Sequence, residues 1–280
     1  MEQHPERTQK TGEGQSLRCA GGEWFKWVTI AASLILAIFI AVVLALIVFR
    51  PSLDAFVASV TSNEILFAIV LSLATASVST FLCILIGIPA AYALARYAFP
   101  GKNVVNACLD MPLALPPLVA GLGLLLLFGT TSVGKWLAEI GLVFVFTPLG
   151  IIVAQFFVNF PYMIRIMRSS FATINPRYEY VARTLGCTDA QAVWRVTLPM
   201  SAEGLFAGSV ITWAKGIGEF GAVLLIAGAI KFKTETLPIA LFLNMTTGNL
   251  EMAISSAALL ILISVGALYV FERYGGSARF

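Results

Sequence analysis

Charge is what this sequence has least of. Asp, Glu, Lys and Arg together make up 12% of the 280 residues, against about 25% in a typical soluble domain. A water-soluble globule of this length is therefore excluded, and a mean hydropathy of +0.89 points to a membrane protein. No G-x-x-x-x-G-K-[ST] loop occurs, so the chain cannot bind and hydrolyse ATP in the P-loop manner. The single histidine, His4, lies in a polar segment and excludes both a histidine metal cluster and an imidazole base within the apolar runs. The four cysteines (Cys19, Cys83, Cys108, Cys187) have no C-x-x-C spacing and read as scattered packing residues, neither a disulfide framework nor a metal site. No paired-carboxylate arrangement is visible, so no catalytic residues are assigned. The net charge of +3 calls for no nucleic-acid partner.

What is present is long apolar runs with charges gathered at their ends. Residues 1–23 are polar and too poor in apolar side chains to fold alone, and are expected to be a mobile cytoplasmic tail. Six spans are predicted in the remainder, residues 24–280: Trp24–Phe49, Ile65–Tyr97, Met111–Gly129, Leu142–Ile164, Gly204–Ile230 and Met252–Phe271. Each approaches or exceeds the roughly 20 residues a helix needs to cross a bilayer. With the tail inside, thirteen basic residues fall on the inner side and four on the outer, leaving Lys215 within a span. This positive-inside bias places both termini in the cytoplasm of a multi-pass cell-membrane protein.

Spans two to four carry Pro89, Pro112, Pro116, Pro117, Pro148 and Pro161, each expected to bend or end a helix. Each removes an N–H donor, and such breaks survive in lipid only where protein or water satisfies the freed carbonyls. Ordinary helix packing accounts for them. The other reading is that the third span, DMPLALPPLVAGLG, lines a pathway with exposed backbone.

The long polar interval is residues 169–201, with Arg165, Arg168, Arg177, Arg183 and Arg195 in or just before it. It reads as two short helices. Asn175-Pro176 starts the first, Gly186 ends it in a left-handed cap, Asp189 caps a second over Ala190–Val196, and Pro199 closes that. The interval resembles the coupling loop of ABC-importer permeases, whose pattern is E-A-A-x-x-x-G, nine residues, then I-x-L-P. Gly186 fills the glycine, and Val196-Thr197-Leu198-Pro199 fills the end at the family spacing. Tyr180-Val181-Ala182 stands where E-A-A is expected, with Glu179 one residue earlier. Which side chain does the acidic residue's work stays open at this point.

The fifth span carries TWAKGIGEFGAVLLIAGAIKFKTETLP. Lys215 and Glu219 are four apart, so on one helix they share a face and can pair. Ionisable groups inside a membrane are expensive and mark functional positions by default. Either the two form an ion pair that holds spans together, or the Lys215 cation assists an anion with Glu219 holding it in place. Gly216, Gly218, Gly221 and Gly228 permit close helix approach. The run Gly218-Glu219-Phe220-Gly221, continued to Thr234-Glu235-Thr236-Leu237-Pro238, resembles the oxyanion-importer permeases for molybdate, tungstate and sulfate, and is slightly closer to the molybdate/tungstate group.

The resemblance covers most of residues 65–271. It implies an all-α, six-span type I importer permease that forms the pathway as a homodimer. It also implies ATP and Mg on a separate ABC ATPase dimer docked on the 169–201 loop, and an external solute-binding protein. Coupling residues would be Glu179, Tyr180, Val181, Ala182, Gly186, Val196, Leu198 and Pro199; pathway or packing residues would be Lys215, Gly218, Glu219, Phe220 and Gly221. Members usually carry arginine at the position of Lys215, and the ammonium lacks the planar fork that suits oxyanions. Sulfate is the alternative substrate. An ion-gradient-driven secondary transporter would explain the broken helices but leaves the coupling loop unexplained.

Overall fold

The computed structural model describes residues 22–275, and every regular element among them is helical. The first 21 residues of the expected tail, and the last five of the chain, lie outside the described residues. The chain divides into two units, residues 1–45 and 46–280. The described part of the first, from residue 22, belongs to helix α1 (Gly22–Val48). Its span Trp24–Val48 reaches a mean hydropathy of 3.2, and nothing in its most apolar window is buried. A helix apolar on all sides with no aqueous face is suited to lipid.

The second unit is built on α3 (Asn63–Arg96) and α7 (Pro148–Thr173), which pack along most of their lengths. A short α2 (Leu53–Val60) precedes α3, and Ser52 and Ser62 cap the two through their side chains. Cys83, Ala91 and Leu94 of α3 meet Met163, Ile164, Met167 and Phe171 of α7 in one buried cluster. Around this pair stand α4 (Lys102–Ala114), α5 (Pro117–Thr130) and α6 (Ser132–Glu139). Two short helices, α8 (Arg177–Thr184) and α9 (Asp189–Ala192), lead through a π turn into α10 (Leu198–Met200). Finally come α11 (Ala202–Ile217), α12 (Gly221–Ala227), α13 (Leu237–Thr246) and α14 (Leu250–Gly275). Outward-facing Val70, Phe81 and Leu85 of α3 are about 60% exposed or more (66%, 60% and 58%). Apolar side chains cover much of the surface as well as the core, and Ser72, Thr75, Gln155 and Asn159 are buried among them.

Four helices are long and apolar enough to cross a membrane, and two bent pairs bring the total to as many as six. Each of the six expected spans corresponds to one of these helices or bent pairs, with altered edges. The third is two helices, α4 and α5, bent by 112° at Leu115-Pro116. Proline at 116 and 117 cannot continue α4 but is pre-set to start α5, whereas Pro89, Pro112 and Pro161 lie inside α3, α4 and α7 and break none of them. The fourth begins at Pro148, later than expected, and runs past Arg165 and Arg168 to Thr173, so the first residues of the 169–201 interval are still transmembrane helix. The fifth is α11 and α12, bent by 59°.

Helix α13 is an element that hydropathy did not anticipate. Its Leu237, Ile239 and Ala240 are completely buried, and Leu237 N–H donates to Ser72 Oγ of α3 at 2.8 Å. Farther along, Glu64 of α3 accepts from Asn244 Nδ2 (2.9 Å) and from Lys231 Nζ (2.8 Å), tying the N-terminal end of α3 to α13 and to the loop before it.

Glycine sets the closest approach between the two broken helices. A Cβ on Gly121 of α5 would lie 2.7 Å from both Cα and O of Ala222 on α12, whereas one on Gly123 would meet nothing within 4 Å. Overpacking costs about 1–3 kcal/mol, more than the ~1 kcal/mol that alanine gains over glycine in a helix. Gly121→Ala is therefore expected to lower the thermal unfolding midpoint in detergent, and Gly123→Ala to leave it level or raise it.

Candidate functional site: the polar hairpin and the broken fifth span

Between α7 and α11 the chain folds back on itself. Asn175 Oδ1 accepts from Arg177 N–H at 3.0 Å and opens α8, as the Asn-Pro pair suggests. At its end Gly186 takes φ +92°, Gly186 N–H donates to Arg183 O (3.0 Å), and Cys187 N–H donates to Ala182 O (3.1 Å). These are the two bonds of a Schellman cap. No atom crowds a Cβ at Gly186, so the requirement for glycine there is one of backbone angle alone.

The second half differs from expectation in two respects. Thr188, rather than Asp189, caps α9: its Oγ1 accepts from Gln191 N–H, while Gln191 Oε1 accepts from Thr188 N–H. Asp189 instead pairs with Arg183 at 2.9 Å. Nor does Pro199 close a helix. Val193–Thr197 form a π turn, in which Leu198 N–H reaches back five residues to Val193 O. Pro199 then sits in the first turn of α10, where its missing donor is harmless. The break comes at Ser201.

Glu179 is the carboxylate that the structure places at the base of the hairpin. It is 9% exposed and takes three side-chain donors: Tyr92 OH (2.8 Å), Arg96 Nε (3.0 Å) and Thr197 Oγ1 (2.9 Å). Arg96 Nη2 also donates to Ile174 O, just past α7. One carboxylate thus joins the C-terminal end of α3, the exit of α7, α8 and the π turn. Tyr92 and Arg96 lie more than 80 residues before Glu179, and no local pattern links them to it. Thr197 lay inside the V-T-L-P match without a role of its own.

Ala182 is buried beneath the hairpin, and Val196 and Leu198 are half-buried. Tyr180, Val181, Leu185 and Trp194 face outward, from 57% to 80% exposed. Arg183 lies over the Tyr180 ring at 4.6 Å.

In the fifth span the expected Lys215–Glu219 pair does not form. Helix α11 stops at Ile217 with Gly218 as its cap, so the i, i+4 geometry is lost. Lys215 Nζ lies over the Tyr162 ring at 4.4 Å. Glu219 Oε1 accepts from Ala222 N–H at 3.0 Å and caps α12. Phe220 packs on Phe242 (5.5 Å). A Cβ on Gly221 would come within 3.1 Å of Pro117 and 3.2 Å of Leu118 N, so the start of α12 is seated against the start of α5. The G-E-F-G run is a helix break with its own cap, and residues 114–119 of the facing break are mostly exposed.

These features define a class: a membrane-spanning permease carrying a polar hairpin anchored to its helices. Residues 83–273 match the family described as binding-protein-dependent transport system inner membrane component, and the chain belongs to it; it is the permease subunit of a type I ABC importer. Members work with an ATPase and a solute-binding protein, and the permease itself is not catalytic. Among curated relatives, the molybdenum transport system permease protein ModB of Mycobacterium tuberculosis is 36% identical over 236 residues, 82% of this chain and 89% of that one. The sulfate transport system permease protein CysW of Synechocystis is 34% identical over 252 residues, covering 88% and 91%. A bacterial alginate ABC transporter, solved with its alginate-bound periplasmic protein, shares the fold with a TM-score of 0.69 at 16% identity, covering 89% of this chain and 93% of that one. The methionine transporter MetNI, inward facing, gives 0.58 at 19%, covering 79% and 100%.

Removing one partner of a buried ion pair costs about 3–5 kcal/mol. Glu179→Ala should therefore loosen the hairpin and speed tryptic cleavage after Arg177 and Arg183, whereas Tyr180→Ala, on the exposed face, should leave the cleavage rate close to wild type.

Proposed function

We propose that this chain forms the translocation pathway of an ATP-driven importer for a tetrahedral oxyanion, molybdate or tungstate, working as a homodimer with both termini in the cytoplasm. ATP and Mg bind a separate ATPase dimer, which docks on the hairpin, and an external solute-binding protein delivers the anion. The observation that carries this reading is the anchored hairpin. Its inner side is tied by Glu179 to α3 and α7, while its outer side presents Tyr180, Val181, Leu185 and Trp194 to a partner. Exposed aromatic and aliphatic groups on a rigid base are what a docking surface requires. The topology is supported by the excess of Lys and Arg on the hairpin's side of the membrane.

In this mechanism, closure of the ATPase pair pulls on α8–α10, and Arg96 and Tyr92 pass the displacement into α3 while Arg96 also engages the end of α7. The two subunits then rock between outward- and inward-facing states. Specificity rests mainly with the delivering protein. Sulfate is the second reading, favoured by the Synechocystis relative, whose identity is close to that of the mycobacterial one.

Two measurements test this. Co-purified with its ATPase in lipid, the permease should hydrolyse ATP faster when molybdate- or tungstate-loaded binding protein is added. Stimulation by the sulfate-loaded protein alone would reassign the substrate, and no stimulation by any loaded protein would reject the class of cargo. Trp194→Ala should weaken retention of the ATPase about thirtyfold, the effect of losing a ~2 kcal/mol aromatic anchor; unchanged retention would remove the docking surface from the hairpin.

A further inference from the structure

Three cations lie on α7 and α11 without a role in the hairpin. Arg165 and Arg168 follow Tyr162 at three-residue steps on α7, so the three positions descend one broad face by about 4.5 Å per step. Lys215 rests on the Tyr162 ring at the top of this series. All three cations are exposed on the protomer, and Lys215 makes no ion pair among the described residues. Each arginine is held from one side by α4. Arg165 Nε donates to Asp110 Oδ1 (2.9 Å), and Arg168 Nη1 donates to Asn106 Oδ1 (2.9 Å). A guanidinium has five N–H donors, so both forks keep donors free. An open pocket of about 400 Å³ lies beside them, lined by Asp110, Arg165, Arg168, Ser169 and Ala172.

We propose that Lys215, Arg165 and Arg168 form a descending cationic track that hands a tetrahedral oxyanion to the cytoplasmic mouth, with the pocket at Asp110 and Arg168 as its last station. This rests on the oxyanion-permease reading above. A charged side chain within a membrane faces protein or water rather than lipid, so exposed Lys215 marks the wall of an aqueous path, and the arginines continue its face toward the hairpin. Lipid headgroup phosphates share the chemistry but not the depth of Lys215, which about 20 Å of helix separates from Ala202 beside the hairpin; for the two arginines, nearer the hairpin, the lipid composition in the test tells the two sources apart. The ammonium at the top is a compact point charge and attracts without gripping; the guanidinium forks below supply directed donors. Asp110 competes with the anion for Arg165, which keeps the last station weak enough to empty.

The test uses the whole permease–ATPase complex in proteoliposomes with tungstate-loaded binding protein, and reads tungstate moved per ATP hydrolysed. Lys215→Met, and Arg165→Gln with Arg168→Gln, should each lower this ratio about tenfold, the effect of losing one charge-assisted hydrogen bond. Arg165→Lys with Arg168→Lys should restore most of it. Asp110→Asn disturbs packing least and should slow turnover about threefold by strengthening the hold of Arg165. An unchanged ratio in the glutamine pair, or unchanged turnover with Asp110→Asn, overturns the track. So does a loss confined to liposomes made with anionic lipid, which would assign the arginines to headgroups. If the unaltered complex moves neither tungstate, molybdate nor sulfate, the oxyanion reading itself has failed and the track falls with it.

Discussion

The hairpin depends on a single buried carboxylate. Glu179 is desolvated, and an unpaired charge there would be strongly destabilising. It is tolerated because Arg96 supplies the opposite charge and Tyr92 and Thr197 satisfy the remaining lone pairs. The geometry has a consequence for motion. Hydrophobic contacts alone would let the hairpin slide over the ends of α3 and α7, whereas directed, charge-assisted bonds hold it in one register. A pull on α8 is then a pull on the helices.

The membrane part obeys a different constraint. Backbone groups in lipid need partners, yet the third and fifth spans are both interrupted. The two interruptions solve this together. Prolines begin α5, where no N–H is needed, Glu219 caps α12 with its own side chain, and glycines at 121 and 221 let the two starts lie against each other. The G-E-F-G run therefore has an architectural meaning that is independent of any anion. Its glutamate is engaged with backbone, and the lysine four residues earlier is released to the surface of α11.

Much of this was legible in one dimension. Scarce charge and six apolar runs marked the class and the stretches able to cross, because the thickness of a bilayer imposes a length that any sequence must display. The left-handed cap at Gly186 was equally legible, since its Schellman bonds are formed within a few residues. Local signals misled where two of them competed. Thr188 and Asp189 are both good caps, and the reciprocal bond to Gln191 decided for the threonine. Pro199 looked like a stop because the π turn that accommodates it leaves no mark in hydropathy.

The sequence by itself determined that the chain spans a membrane, that Pro116-Pro117 interrupt its third span, and that a polar hairpin lies between the fourth and fifth spans. These follow from composition and from interactions within a few residues of each other. Only the tertiary structure decided which groups those breaks and charges would meet. Arg96 and Tyr92 reach Glu179 across more than 80 residues, Leu237 N–H finds Ser72 across 165, and Lys215 turns to Tyr162 instead of Glu219. The reason is physical: a partner's identity is set by which helices pack together, and packing joins residues that share no local pattern.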